Sequence, residues 1–396
     1  MWNPRLADLS EFPFRRLAGL LAPVAPPQGL GILDLGIGEP KHRPPSILAE
    51  TVAAEAGSWN LYPPPNGTPA FREAVARWCE RRFDLPPGTL EPERMVLPLA
   101  GTKEGLYMLA ALAVAPRADG RRPAVLMPSP LYAVYLGAAV MAGAEAVPLA
   151  ATAENGFLPD LDALEPDLLD RTALFYLCSP ANPQGVVASG AYLAKALGLA
   201  RRHGFLLALD ECYSEIWDEA PPTGGLAVAH AAGKGFGGLV VLNSLSKRSS
   251  AAGLRSGFVA GDPDFLAAFI KLRAYAAPVQ PLPLMAAAVA LWNDEAHVEA
   301  SRDRYRRKID LAERRLAGRL GFYRPPGGFF LWLDVGDGEA AALRLWREAG
   351  VRVLPGGYLT PGTHEPDPGE RYVRVALVHD GAVVDEALSR LVSTLC

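Results

Sequence analysis

The chain has 396 residues, of which 50% are hydrophobic and 21% charged, and this balance excludes intrinsic disorder as a description of the whole protein. Its 39 basic and 43 acidic side chains give a formal charge of −4, which disfavours a general nucleic-acid binder because such proteins carry an excess of Lys and Arg. At about 100–200 residues per domain, the length predicts two or three domains.

Cysteine usage and the length of the apolar runs indicate the cellular compartment of the protein. The four cysteines form neither a CxxC pair nor a His-flanked zinc pattern, and they are too few for a disulfide framework in a chain of this length. Residues 1–10 lack the apolar core of a signal peptide, and the run Met285–Trp292 is too short to span a bilayer. We therefore expect a cytoplasmic protein with no metal site, no membrane segment and no nucleic-acid partner.

The N-terminal part of the chain combines an irregular stretch with a clear helix start. Residues 1–45 are rich in Pro and Gly and are expected to form an irregular arm that packs on a smaller second domain. Thr68-Pro69 predicts a helix start, with Thr as N-cap and Pro at the first helical position. A further helix is expected from Lys103 to Val114.

Short apolar runs then alternate with helical patterns such as Tyr192–His203. The predicted buried strands are Ala124–Met127, Thr172–Cys178, Phe205–Leu209, Leu239–Leu242 and Gly257–Ala260. This alternation predicts an α/β fold whose mainly parallel, doubly wound sheet forms a large domain over residues 46–285. Residues 286–396, with a charged helix over 295–320 and strand-like segments at 327–332 and 372–377, are expected to form a smaller α+β domain.

Polar residues follow three of the predicted strands. They are the segments Ser179–Asn182, Asp210-Glu211 and Asn243-Ser244. Ligands of doubly wound sheets bind beyond the carboxyl ends of the strands, so these segments are expected to form one site.

Lys247 is the candidate nucleophile in that site. It follows a buried strand within Ser244-Leu245-Ser246-Lys247, where partial burial would favour the neutral amine that acts as nucleophile or base. Ser244, Ser246 and Arg255 would bind a phosphate through hydroxyl groups and a guanidinium fork. The alternative for this segment alone is a solvated basic loop.

Asp210, Tyr213 and Asn182 each allow a structural and a functional interpretation. Asp210 is either a helix N-cap or ion-pair partner, or a carboxylate that faces a protonated ring nitrogen. Tyr213 would present its phenol to the same ligand. Asn182 is either part of a Pro/Gly turn or an amide held rigidly for a ligand oxygen.

Taken together, these residues resemble one enzyme family. Asn182, Asp210, Tyr213, Lys247 and Arg255 occur in the order and approximate spacing of the fold-type I, aspartate aminotransferase-like pyridoxal-phosphate enzymes. The further matches are the loop around Gly38, the segment of Tyr62, the helix start Gly101-Thr102-Lys103, Tyr132 and Arg374. Each of these alone has an ordinary structural explanation, whereas their common order over nearly the whole chain is specific.

The resemblance implies pyridoxal 5′-phosphate as cofactor and a role for each matched residue. Lys247 would bind the cofactor covalently and then act as the base, and Asp210 would keep the pyridine nitrogen protonated. Asn182 and Tyr213 would donate to the ring oxygen, and Arg374 would bind the substrate α-carboxylate. The expected cofactor-binding residues are Gly101, Thr102, Lys103, Tyr132, Ser244, Ser246, Arg255 and Tyr62, the last from a neighbouring subunit of a homodimer. Gly38, Lys41 and Asn182 are expected on the substrate side.

Four local strings, around Gly38–His42, Asp210–Ile216, Ser244–Gly261 and Trp292–Val298, are similar to the branch of this family that contains succinyldiaminopimelate aminotransferases. That resemblance implies ping-pong transfer of the amino group of glutamate to N-succinyl-2-amino-6-oxoheptanedioate, in lysine and diaminopimelate biosynthesis.

Two segments depart from that branch: Lys103 replaces Arg, and Arg43-Pro44-Pro45 replaces a Thr-Pro sequence. The substrate would carry several carboxylates and would need further cations. Lys41, His42 and Arg43 are the first candidates for those contacts, and Lys271 and Arg273 are weaker ones.

Other functions remain open from the sequence. An aspartate, aromatic or kynurenine-type aminotransferase would share every catalytic residue, and a C–S lyase would also use Lys247 and Arg374. A non-enzymatic regulator with an aminotransferase-like domain is disfavoured, because the arm of about 45 residues shows no helix-turn-helix pattern and no basic bias.

Overall fold

The computed structural model describes residues 2–276 and 278–396 as helices packed around three sheets. The strands are β1 Leu33–Asp34, β2 Val96–Leu99, β3 Ala124–Ser129, β4 Glu145–Ala150, β5 Thr172–Cys178, β6 Leu206–Asp210, β7 Leu239–Ser244, β8 Gly257–Gly261, β9 Phe330–Asp334, β10 Val351–Arg352, β11 Leu354–Pro355 and β12 Tyr372–Ala376. The helices are α1 Pro13–Leu21, α2 Ser46–Ala54, α3 Pro69–Arg82, α4 Pro92–Met95, α5 Thr102–Ala113, α6 Ala133–Ala142, α7 Pro166–Arg171, α8 Gly190–His203, α9 Gly225–Ala231, α10 Leu245–Arg248, α11 Pro263–Ala276, α12 Leu282–Asn293, α13 Ala296–Leu316, α14 Gly338–Ala349 and α15 Gly381–Leu395.

A seven-stranded sheet organises the larger part of the molecule. Its strand order is β2-β8-β7-β6-β5-β3-β4, with β8 antiparallel to both of its neighbours and the other pairs parallel. All five predicted strands are therefore confirmed, and so is the α/β fold with a mainly parallel sheet. The edge strands β2 and β4 were not predicted, because their short runs contain Pro98 and Pro148, which weaken a strand pattern.

Both faces of this sheet are buried, which explains why its strands are continuously apolar. Successive side chains point to opposite faces, so Leu207 and Leu209 of β6 join one hydrophobic cluster while Leu206 and Ala208 join another. Helices cover both faces, as expected for a sheet that is largely parallel.

The predicted helices begin where their caps indicate. Thr68 Oγ1 accepts a hydrogen bond from the backbone N–H of Phe71 at 3.3 Å, and α3 begins at Pro69. The helices expected from Lys103 and over Tyr192–His203 are α5 and α8. None of the helices within the described ranges is long and apolar enough to cross a lipid bilayer.

A three-stranded antiparallel sheet, in the order β11-β12-β9, forms the centre of the C-terminal part. The strand expected over 327–332 begins only at Phe330, and this boundary was wrong for a steric reason. A Cβ added at Gly327 would lie 2.5 Å from Pro180 Cγ, so the two glycines before β9 allow the chain to approach the segment after β5.

The N-terminal arm is not entirely irregular, which corrects one expectation. It contains α1, whose Leu17 and Leu21 are buried against Trp332 and Tyr358, and β1 pairs in parallel with β10. The helix was missed because Pro13 at its first position is its one start signal: the N-cap residue, Phe12, makes no side-chain cap hydrogen bond.

The division into domains at residues 45 and 285 stays a prediction. Helix α12 begins just before the second of these boundaries, and its residues Met285, Leu291 and Trp292 join the core of the large sheet. It packs against α2 and α3, and this packing favours a boundary after Asn293.

Candidate active site

A cavity of about 500 Å³ opens where the carboxyl ends of β5, β6 and β7 meet. Most of the sequence-predicted site residues line it. They are Gly38, Thr102, Lys103, Tyr132, Asn182, Asp210, Tyr213, Ser244, Ser246, Lys247, Arg255 and Arg374. The polar strand ends are thus brought together, as the parallel sheet predicts.

Lys247 lies on the short helix α10, directly after β7, and its amine reaches the cavity. Its Nζ donates to the carbonyl oxygen of Gly38 and lies 5.6 Å from the centre of the Phe329 ring. Burial is the main cause that lowers the pKa of Lys247 to about 8. The charge of Arg374 lowers it further, whereas Cys212 raises it. A substantial neutral fraction near pH 8 is what a nucleophilic amine requires.

Asp210 ends β6 as a buried carboxylate with two protein donors. The Tyr135 hydroxyl donates to Oδ2 at 2.8 Å, and the Cys212 backbone N–H donates to Oδ1 at 3.2 Å. Burial raises the pKa of Asp210, and the hydrogen bonds only partly offset this. A carboxylate held in this way is well suited to pair with a cationic group in the cavity.

Tyr135 was missed by the sequence analysis. It lies one turn after Tyr132 on α6, and the two rings meet edge to face with centroids 5.7 Å apart. The signal that could have found it is this i,i+3 spacing, which places both rings on one helix face. Tyr213 is buried and packs edge-on against Phe329 and Phe330, and burial raises the pKa of its phenol.

The start of α5 and Arg255 form a cradle for an anion. Gly101 is the N-cap with φ +81°, and a Cβ there would lie 2.1 Å from Arg255 Nη2, so only glycine fits. Arg255 donates to the carbonyl oxygens of Ala252 and Ala100 at 2.9 and 3.2 Å. The free N–H groups of a helix start and a guanidinium group are a common phosphate site.

Ser244 and Ser246 lie at the same edge, joined to each other. Ser244 Oγ donates to Ser246 Oγ at 2.8 Å and accepts from the Ser246 N–H at 3.1 Å. Thr102 Oγ1 lies 3.1 Å from Cys212 Sγ. These hydroxyl groups complete the polar wall beside Arg255.

Arg374 comes from β12 and is buried, with one nitrogen unpaired. Its Nη1 donates to Asn182 Oδ1 at 3.0 Å and its Nη2 to the Gly36 carbonyl oxygen at 2.8 Å. Its Nε is buried and has no hydrogen-bond partner within the described residues. Burial lowers its pKa to about 10, so the guanidinium stays charged at neutral pH and is ready for a carboxylate.

Several sequence candidates lie outside this cavity. Tyr62 is fully exposed, and Lys41 is half-exposed with its Nζ 2.5 Å from Glu39 Oε2. Arg273 is buried against Glu104, with Nε and Oε1 3.0 Å apart, and Lys271 is exposed. The geometry therefore does not bring these four to the site within one chain, and the roles predicted for Tyr62 and Lys41 stay predictions.

Apolar side chains that the sequence analysis did not single out form the outer wall of the cavity. They are Phe12, Pro13, Phe14, Ile37, Leu131 and Leu359. The first three come from the arm at the start of α1, and no motif could have indicated them because the arm reaches the site only through tertiary packing. Lys103 lies at this wall, with Nζ 5.4 Å from the centre of the Phe12 ring.

The residues present fit pyridoxal phosphate. The guanidinium of Arg255 occupies the space where a side chain at Gly101 would lie, so this charge and the helix start together suit the phosphate. The buried carboxylate of Asp210 suits a pyridinium nitrogen. Lys247 supplies an amine of lowered pKa for the aldehyde, and the charged guanidinium of Arg374, which lines the cavity, suits the carboxylate of an amino acid.

Comparison with known proteins agrees with this geometry. The family model "Aminotransferase class I and II" matches residues 31–391. A 4-dedimethylamino-4-oxo-anhydrotetracycline transaminase of Streptomyces rimosus is 34% identical over 98% of this chain and 100% of its own length. An LL-diaminopimelate aminotransferase of Desulforudis audaxviator is 34% identical over 98% of this chain and 96% of its own.

Solved structures give the same result. A crystal structure of an aminotransferase from Neisseria meningitidis superposes with a TM-score of 0.95 at 36% identity, covering 100% of both chains. A probable N-succinyldiaminopimelate aminotransferase of Thermus thermophilus superposes with a TM-score of 0.83 at 28% identity, covering 96% of this chain and 97% of the other. The chain therefore belongs to the class I and II aminotransferases, enzymes of the aspartate aminotransferase-like fold that transfer amino groups between amino and oxo acids with pyridoxal phosphate.

Proposed function

We propose that this aminotransferase transfers the amino group of glutamate to N-succinyl-2-amino-6-oxoheptanedioate. The observation that carries the proposal is that two cations, Arg374 and Lys103, line one cavity. A long substrate with carboxylates at separate positions would meet both. The diaminopimelate aminotransferases among the similar proteins support an acceptor of this class.

Each of the residues around the cofactor would have a separate role in the reaction. When bound, pyridoxal phosphate supplies the electron sink that makes the Cα–H bond of the amino acid acidic. Lys247 would be the base that takes this proton at Nζ, and its lowered pKa keeps part of the amine neutral. Arg374 would bind the α-carboxylate and set the orientation of Cα. Asp210, held by Tyr135, would pair with the cationic ring nitrogen.

The phosphate of the cofactor would bind at the start of α5. Gly101, Thr102 and Lys103 offer the helix N-terminus, and Arg255 adds its guanidinium group. Ser244 and Ser246 would contribute hydroxyl groups. Tyr132 would lie against the ring, Asn182 and Tyr213 would donate to the ring oxygen, and Gly38 would border the substrate.

A second acceptor class is favoured by the apolar outer wall. Phe12, Phe14, Leu131 and Leu359 would offer an aromatic or polycyclic substrate an apolar contact surface. The similar protein from Streptomyces rimosus is named for a polycyclic substrate, an anhydrotetracycline. Aromatic amino acids and their oxo acids are therefore the alternative to the succinylated acceptor.

A single-turnover experiment separates the two classes. The pyridoxal-phosphate enzyme is mixed separately with N-succinyl-LL-diaminopimelate, glutamate, aspartate, phenylalanine and kynurenine, and conversion of the visible cofactor band to the pyridoxamine band is followed. We expect the succinylated compound and glutamate to react at least about tenfold faster than the others, a difference of about 1.4 kcal/mol in activation free energy. Fast conversion with phenylalanine or kynurenine and none with the succinylated compound would replace the proposed substrate by an aromatic one.

We also propose a homodimer in which Tyr62 reaches the neighbouring site. Trp59, Leu61 and Tyr62 expose 53%, 57% and 100% of their surface, and a run of large exposed apolar side chains is typical of an interface. Gel filtration at micromolar concentration should give a mass near twice 42.2 kDa. A monomer that keeps full activity would contradict this prediction.

A further inference from the structure

A second cavity, of about 540 Å³, lies between α13, the start of α15 and the loop that follows Gly38. None of its lining residues lines the active-site cavity. Four of them are Arg43, Arg304, Arg307 and Lys308, and the one carboxylate is Asp380. We refer to this cavity as the basic cleft.

The arginines of the basic cleft lack the partners that other arginines of this chain have. Arg324, for example, contacts the carboxylates of three residues, Asp218, Asp310 and Glu313. Within the part of the chain that the structure describes, none of Arg43, Arg304 and Arg307 forms an ion pair. Arg307 donates one hydrogen bond, to the Asp303 carbonyl oxygen at 3.2 Å. All three side chains are exposed, and together they give the cavity a positive potential that would attract an anion.

Lys308 is the buried lysine of the cleft, and burial lowers its pKa to about 7. It is 2% exposed, and its Nζ donates to the Leu377 carbonyl oxygen at 2.8 Å and to His42 Nε2 at 2.7 Å. His42 Nδ1 lies 3.4 Å from Asp380 Oδ1, which fits a neutral imidazole that donates to this carboxylate. Burial, followed by the charges of Lys308 and Arg304, lowers the pKa of His42 to about 4, so the cleft keeps this ring neutral.

The N-terminus of α15 adds to the positive potential. Gly381, the first residue of this 15-residue helix, lines the cleft, and the side chain of the N-cap Asp380 makes no capping hydrogen bond. The backbone N–H groups of the first turn therefore receive no acceptor from the cap. They are available to an anion, and the helix dipole favours negative charge there.

We propose that the basic cleft binds a small anion carrying at least two phosphate or carboxylate groups, at a site separate from catalysis. Arg43, Arg304 and Arg307 would contact the anion directly, and the first turn of α15 would donate backbone N–H groups. A bound anion would favour the protonated form of Lys308, whose Nζ would then add to the positive charge. The volume suits a metabolite-sized ligand. A polyanion such as nucleic acid does not suit a chain with a formal charge of −4.

Calorimetric titration of the pyridoxal-phosphate enzyme tests the site. The active site is first blocked with aminooxyacetate, and citrate or pyrophosphate is then titrated at low ionic strength. We expect one saturable site per chain, weakened at least about tenfold in the double variant R304Q/R307Q, because it removes two charge-assisted hydrogen bonds to the anion. The tighter of the two probes identifies carboxylate or phosphate as the preferred group.

Matched variants keep the test decisive. R314Q removes an exposed arginine of the same helix that does not line the cleft, and it should change the affinity less than about twofold. Arg43→Gln changes only the loop and should weaken binding at least about threefold even if the double variant does not fold. Absence of saturable binding in the unmodified enzyme would overturn the proposal. Affinity that is unchanged in the cleft variants, or equally lost in R314Q, would also overturn it.

Discussion

Lys247→Ala is expected to reduce amino transfer more than about 1000-fold and to abolish the visible absorbance band of the covalently bound cofactor. Lys247 is the one lysine besides Lys103 that lines the active-site cavity, within the described residues, and it is the one whose pKa is lowered to about 8. The alanine variant removes both the nucleophile and the base. Spectra of the purified enzyme and single-turnover rates with glutamate measure the two effects.

Lys234→Ala is the control for this prediction. Lys234 is exposed and does not line the cavity, so both the band and the rate should stay within about twofold of the unmodified enzyme. Transamination that persists in Lys247→Ala would mean that the nucleophile is another residue.

Asp210→Asn is expected to lower turnover by roughly 100- to 1000-fold while the cofactor still binds. Asparagine has nearly the same shape but no charge, so it cannot stabilise a protonated ring nitrogen. The phosphate cradle at Gly101 and Arg255 does not involve this residue. Turnover with glutamate and the cofactor content of the purified variant are the measurements.

Tyr135→Phe is the companion variant, because it removes only the hydrogen bond to Asp210 Oδ2. A hydrogen bond to a charged group contributes about 1.5–3 kcal/mol, so a loss of about tenfold to a hundredfold is expected. For the first variant, Asp210→Asn, turnover above a tenth of that of the unmodified enzyme would show that the charge of Asp210 is not essential.

The local patterns of the large domain were sufficient to predict most of its elements. The Thr68-Pro69 cap and the buried strands β5, β6 and β7 follow from short-range physics, namely N-cap hydrogen bonding and burial of continuous apolar runs. Because parallel strands direct their carboxyl ends to one edge, the meeting of Asn182, Asp210 and Lys247 could also be anticipated. These are properties of adjacent residues combined with one topological rule.

The outer wall of the active site could not be anticipated. Phe12 and Phe14 reach the cavity because α1 packs on Trp332 and Tyr358, and that contact joins residues more than 300 positions apart. Helix α1 itself has no capping side chain, so its stability depends on this packing rather than on local signals.

The ion-pair partners of the basic side chains could not be predicted from the sequence either. Arg273 was a candidate for a substrate carboxylate, yet the fold buries it against Glu104, which lies 169 positions away in the chain. The sequence contains these charges without their distances, and Coulomb energy depends on distance and burial.

The amino-acid sequence by itself therefore determined the family, the cofactor and the residues around Lys247, because those signals are local and occur in a specific order. Tertiary structure alone decided which cations and apolar side chains line the active-site cavity, and that four basic side chains line a second cavity. The physical reason is that packing and electrostatics act between residues that are distant in the chain, whereas caps, turns and strand patterns act between neighbours.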